Sequence, residues 1–331
     1  MGGWIGIFAM PGVACAGTTL IYQDDFESGV SGWSLNPSAF DDDLTNFLGR
    51  FDNSPTTVSR TFTLPTGTAS ARVSFDFYKI DSWDNTAQWG FDRWEVEVGG
   101  SQIFSLPFSS DQPARSGSTA GVDWSITPLG PPAQLAFGSG QSWTTDQLHR
   151  VVLDIDAPGT ALELTLRTAI NQGGNDESGG YDNFEVLAFG PPPQLTGSKT
   201  VEVVGGGFAV PGAEVDYRID ITNAGGAADA GTLVVTDILP PEVELFTGDL
   251  DGSGSAVAFT DASAPASGYV CCATGEVEFS ATVSGAPVWG YVPATPYDPD
   301  VTRLRITPSG TPRDAVGNPV SLGFRIRARI P

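Results

Sequence analysis

Acidic and aromatic residues crowd two short stretches of this chain. In KIDSWDNTAQWGFDRW, Asp81, Asp84 and Asp92 stand among Trp83, Trp89 and Phe91; in NQGGNDESGG, Asp176 and Glu177 sit among glycines. Carboxylates at this density suit a hard cation, since calcium takes six to eight oxygens, mostly from carboxylates and backbone carbonyls, in flexible geometry. If both stretches lie at the same end of a fold, the five acids form a metal-binding cluster along one concave rim. Trp83 and Trp89 then supply flat apolar faces, as sugar-binding grooves do. The competing expectation is that both tryptophans belong to the core, where large aromatics usually go.

Other candidates are weaker. Asp249-Leu-Asp251-Gly-Ser253-Gly254-Ser255 matches the opening of a calcium loop, but position twelve is Thr260 where a bidentate Glu is required, so a glycine-rich turn fits better. Glu95 and Glu97 share one face of a strand, as the carboxylate pair of some glycosidases does, yet Trp94, Val96 and Val98 claim the other face for a core. His149, the single histidine, opens an alternating strand and reads as packing rather than as a general base. There is no G-x-S-x-G elbow, no H-E-x-x-H and no phosphate-binding glycine loop. An enzyme is therefore not expected.

The elements that must position these residues are strands. Residues 72–98 hold two alternating stretches on either side of the first acidic turn: Val73, Phe75 and Phe77, then Trp94, Val96 and Val98. A period of two gives each strand one core-facing side, and the rest of the first half reads as strands completing this sheet and packing on it. Val151, Leu153 and Ile155, and then Leu162, Leu164 and Leu166, follow the same rule, whereas residues 109–145 read as a long loop. With 41 glycines, 25 prolines and no sustained helical periodicity in 331 residues, the fold class is all-β with two cores. Pro191, Pro192 and Pro193 mark a stiff extended spacer between them.

The net charge of −23 repels phosphate backbones and so disfavours nucleic acid. The start, MGGWIGIFAMPGVACAG, is an apolar run closed by Ala14-Cys15-Ala16; it has the h-region and cleavage pattern of a secretory signal over residues 1–16, without a basic n-region. Cys15 as a lipid-anchored cysteine is the alternative, although Gly12 stands where that motif prefers Leu. No later stretch has the apolar length to span a bilayer. Cleavage leaves Cys271 and Cys272, adjacent residues whose options are a vicinal disulfide, two free thiols, or bonds to another chain. In an oxidising compartment the vicinal bridge comes first.

Two resemblances follow. The pattern DDFE…GW, FLGRF…SFDFYKIDSWD…GFDRWEVEV and NDESGGYDNFEV over residues 22–189 resembles a bacterial exported jelly-roll domain of the lectin, MAM and carbohydrate-binding-module kind. Across a spacer at residues 190–196, the string YRIDITNAG…VTDILPPEVEL…VEFS…YDPDVTRLRI…GFRIRARIP over 197–331 resembles the bacterial cell-surface repeat called domain of unknown function eleven. That family has an immunoglobulin-like sandwich and usually serves as spacer or stalk. The first resemblance implies a structural calcium where first and last strands meet, held by Asp25, Glu27 and Asp182. Together they imply a non-catalytic secreted or cell-surface binding or adhesion protein, glycan-directed and calcium-stabilised. The alternatives are a self-associating stalk or envelope-layer protein and, remotely, a carbohydrate-active hydrolase.

Overall fold

The computed structural model describes residues 5–9 (backbone only), 17–52, 56–109, 111–135, 137, 145–174 and 176–331. Among them there is no helix, and none is therefore long and apolar enough to cross a membrane. The chain divides into two units, Thr18–Phe189 and Gly190–Pro331, the second joined by the strand Ile5–Ala9. Each has its own hydrophobic core.

The first unit is a jelly roll by strand order. Eight strands carry it: Thr45–Phe51, Thr56–Thr63, Ser70–Asp81, Arg93–Val98, Ser101–Pro107, Gln147–Asp156, Ala161–Ala169 and Glu177–Phe189. In one sheet the first pairs the eighth, the eighth the third and the third the sixth; in the other the second pairs the seventh, the seventh the fourth and the fourth the fifth. This double Greek key places Val73, Phe75 and Phe77 opposite Trp94, Val96 and Val98, with Phe77 stacked on Trp94 at 4.1 Å between ring centroids. The two strands around the acidic turn thus lie in opposite sheets, not in one. A period of two fixes which face is buried but not which strand is the neighbour.

Residues 109–145 depart from the expected loop as well. Arg115–Thr119 and Val122–Pro128 form a hairpin that widens the larger sheet beyond Gln147–Asp156, with Val122 and Ile126 buried. Thr18–Asp24 pairs with Phe184–Phe189, so the chain's early strand does lie against the last strand of this unit.

The second unit is an antiparallel sandwich of the immunoglobulin-like kind. One sheet runs Leu195–Val203, Glu214–Asn223, Val320–Arg329, Glu244–Phe246 and Tyr297–Asp298, and the other Ile5–Ala9, Leu233–Ile238, Arg303–Ile306 and Val277–Ser280. Residues 5–9, within the segment expected to be a signal, pair with Leu233–Asp237. The proline run is not free of partners, because Gly226 N donates to Pro192 O at 3.0 Å and Ala224 N to Gln194 O at 3.0 Å. Lys199 points inward from the edge strand to the buried Asp237, and an inward charge of this kind makes an edge a poor template for strand addition. Cys271 and Cys272 are joined as a vicinal disulfide that packs against this core.

Candidate functional site

The acidic turn and the 170–177 loop meet at one end of the jelly roll. The strand Ser70–Asp81 ends at Asp81, whose φ of 64° turns the chain out of the sheet. Ser82 then ties the turn to the loop, its backbone N donating to Asp176 O at 2.8 Å and its hydroxyl to the Asp176 carboxylate. A small hairpin follows, Asn85–Thr86 against Gly90–Phe91, and Asn171 Nδ2 reaches Trp89 O at 3.2 Å. Turn and loop together frame a cleft of about 910 Å³, with Asp84, Trp89, Asp111, Gln172 and Asp176 on its walls.

The structure separates the two tryptophans. Trp83 is 2% exposed, packs edge-on against Phe77 and Phe108, and donates its indole N–H to Ser178 O at 2.8 Å. It forms the floor of the cleft as a core residue. Trp89 is 57% exposed and stands open on the rim. Of the pair expected to offer apolar faces, one does.

The five acids are also sorted. Asp84, Asp92 and Glu177 bring one oxygen each to within 4.8 Å of one another, the one such trio of metal-binding side chains among the described residues. Asp92 and Glu177 are wholly buried, while Asp84 borders the cleft. The Asp92 carboxylate accepts the backbone N–H of Asp84, and Asp92 N returns a bond to Asp84 O at 2.8 Å. Glu177 Oε2 accepts the N–H groups of Asn171 at 3.2 Å and Gln172 at 3.0 Å. The other oxygens, Asp92 Oδ1 and Glu177 Oε1, receive no donor from the protein. Burial, with the Asp92 carboxyl beside it, pushes Glu177 up to about 8. Burial likewise raises Asp92 and, with the charge of Asp176 adding to it, Asp84.

Asp81 and Asp176 stand outside the trio. Asp81 is the cross-strand partner of Glu177, pairs with Arg50 at 2.9 Å, and donates its backbone N–H to the Asp146 carboxylate at 2.8 Å. Asp176 is held by Ser82. Next to this network lies Lys79, fully buried, its ammonium donating to the carbonyls of Asp81 and Thr145. Burial pulls Lys79 down to about 8. Sequence reasoning missed Lys79, Arg50 and Asp146. For Lys79 the signal was present, because it continues the core-facing row of Val73, Phe75 and Phe77.

Asp25, Glu27 and Asp182 are not gathered into one ligand set. Glu27 is bound through both oxygens to Asn46, at 2.9 Å to the backbone N and 2.8 Å to Nδ2, and these bonds hold it below the usual carboxylate range. Asp25 Oδ1 accepts Glu27 N at 3.2 Å in an exposed turn. Asp182 is buried opposite Asp76 and accepts the Tyr78 hydroxyl at 2.8 Å; burial pushes it up to about 6, with Asp76 and Glu27 adding to the rise. The Asp249–Ser255 segment is a turn closed on itself, with Asp249 Oδ1 accepting Gly252 N at 2.7 Å and Asp251 Oδ1 accepting Ser253 N at 3.1 Å. Glu95 is occupied by Arg167 and Ser105. His149 is wholly buried between Phe77 and Phe108, and burial pulls it down to about 4.

No protein-family model and no curated protein matches this chain. Among solved structures, one titled "Life in the extremes: atomic structure of Sulfolobus Turreted Icosahedral Virus" is 10% identical at a TM-score of 0.21, with 85% of this chain and 59% of that one covered. The chain thus spans under two thirds of that structure's length, and a likeness of this size carries no argument.

Proposed function

We propose that this is an exported, non-catalytic binding or adhesion protein of the bacterial cell surface, whose jelly roll holds an extracellular glycan in the cleft beside Trp89. The second sandwich then serves as the spacer. The observation that carries the reading is the open Trp89 face standing over a cleft walled by Asp84, Asp111, Gln172 and Asp176. A sugar ring stacks its C–H face on an aromatic surface while its hydroxyls bond flanking carboxylates and amides, and a site of this kind needs few polar groups to fix orientation. Calcium, where present, stabilises the fold and does no chemistry. Asp92 and Glu177 are wholly buried and so do not serve as the carboxylate pair of a hydrolase in this reading. The apolar start closed by Ala14-Cys15-Ala16 supports export.

The test is retention of the full chain on a broad glycan array in the presence of calcium, alongside Trp89→Ala. Retention abolished by the substitution supports the reading; absence of retention on every glycan and on cell-surface extract rejects it. A structural, envelope-layer role is favoured by the burial of Trp83, which leaves one aromatic face rather than two on the cleft. Self-association measured by sedimentation in calcium, with no glycan retained, would bring that role forward.

A further inference from the structure

The acid trio has a feature that its charge alone does not explain. Glu177 and Asp92 are both wholly buried; one Glu177 oxygen accepts two backbone N–H groups and one Asp92 oxygen accepts one. Each has a second oxygen without a donor unless the two carboxyls share a proton. These free oxygens belong to carboxylates that converge with Asp84 on one small volume. Buried carboxylate oxygens without a donor are costly. Two species meet the need: a proton held between Glu177 and Asp92, or a cation among all three.

We propose that Asp84, Asp92 and Glu177 form a calcium site that clamps the Trp89 hairpin to the 170–177 loop, so that the cation sets the shape of the cleft. The ligand set is oxygen only, which selects a hard cation over a thiophilic or imidazole-seeking metal. Two oxygens on one calcium at 2.3–2.6 Å stand at most about 5 Å apart, and the trio lies inside that limit. Asp84, partly exposed at the cleft, gives the ion a way in and leaves room for water to complete its coordination. The ligands come from two segments: Asp84 and Asp92 open and close the hairpin, and Glu177 ends the loop. Among the bonds that already cross between them are Asn171 Nδ2 to Trp89 O and the pair from Ser82 to Asp176. This inference rests on the cleft being a binding site only in its consequence for ligands; the cation site itself does not depend on it.

The experiment uses the full chain, stripped with chelator and titrated with calcium chloride. Bound calcium is measured by equilibrium dialysis, stability by thermal denaturation, and the hairpin by acrylamide quenching of Trp89, taken as the difference between wild type and Trp89→Phe. Expected are about one calcium per chain, a first-unit transition raised by several degrees as an ion binding only the folded state requires, and reduced Trp89 quenching. Asp84→Asn and Glu177→Gln lose all three effects. Asp84→Asn changes a partly exposed side chain, so it tests the site even if Glu177→Gln fails to fold. Failure to bind calcium, or binding that survives both substitutions, overturns the proposal and leaves the shared proton. Calcium binding with unchanged Trp89 quenching overturns the clamp. Calcium binding and altered quenching without glycan retention uphold the proposal while the glycan reading fails.

Discussion

The division between Trp83 and Trp89 yields the sharpest quantitative test. Trp83 is enclosed by Phe77 and Phe108, and its indole nitrogen is spent on Ser178 O. A Cβ on Gly179 would already stand 3.3 Å from its ring, so the backbone is pressed close beneath it. Trp83→Ala removes this packing from a fully buried site, at a cost of about 3–5 kcal/mol. Trp83→Phe keeps an aromatic ring but orphans the Ser178 carbonyl, for about 1–3 kcal/mol. Trp89→Ala, on an open rim, changes stability by no more than about 0.5 kcal/mol. Since the units have separate cores, the second unit's transition serves as internal control. Urea unfolding followed by circular dichroism should show the first transition falling in the order Trp89→Ala, Trp83→Phe, Trp83→Ala, with the second unmoved. Equal costs for the two alanine variants would refute the assignment of Trp83 to the core and Trp89 to the cleft.

Two further outcomes follow from buried groups. His149, held near 4 in the folded chain and near 6.5 when unfolded, resists protonation only in the fold, so its contribution is fully present above pH 6.5 and is lost as pH falls to about 4, by about 3–4 kcal/mol at most. His149→Leu should therefore gain on wild type steadily over that window in first-unit stability, and a flat difference between the two would show that the ring is solvated. Gly180→Ala places a methyl group 2.4 Å from the ring of the wholly buried Phe47, and the overpacking should lower the first transition by about 1–3 kcal/mol in the same urea assay, whereas an unchanged midpoint would mean that the ring has room to move.

Much of the fold was legible because the period of two survives in almost every strand. Val73, Phe75 and Phe77, Val151, Leu153 and Ile155, and Leu162, Leu164 and Leu166 are all buried as that rule requires. What alternation cannot express is pairing. Ser70–Asp81 and Arg93–Val98 are separated by a short turn, which suggested one sheet; yet the turn crosses from one sheet to the other, and Ser70–Asp81 pairs instead with Gln147–Asp156 and Glu177–Phe189. The hairpin over 115–128 escaped notice because only Val122 and Ile126 of its residues are buried, among serines and glycines typical of loops. Asp25, Glu27 and Asp182 had a sound topological basis, since first and last strands do meet, but hydrogen bonds to Asn46 and Tyr78 engage Glu27 and Asp182 separately.

The site itself follows a rule that the sequence held in plain form. Core-facing positions in Ser70–Asp81 run through Val73, Phe75 and Phe77 and then reach Lys79 and Asp81. In Arg93–Val98 the row of Val98, Val96 and Trp94, extended backward, reaches Asp92; in Glu177–Phe189 the row of Tyr181 and Gly179 reaches Glu177; and the row of Ile155, Leu153 and Val151 reaches His149. Four strands thus carry their inward-facing rows past the last apolar residue into ionisable ones, all of them buried. A single such charge would be a capping accident at a strand end. Ionisable groups at the inner ends of four strands mean that the sandwich is closed there by a polar plug rather than by apolar side chains. Buried charge is tolerable only when paired or bound to an ion. Arg50 answers for one oxygen of Asp81, while Asp81 Oδ1, Asp92 Oδ1 and Glu177 Oε1 are left without a hydrogen-bond donor. That imbalance, more than the abundance of acids on the surface, is what singles this end of the fold out for a ligand.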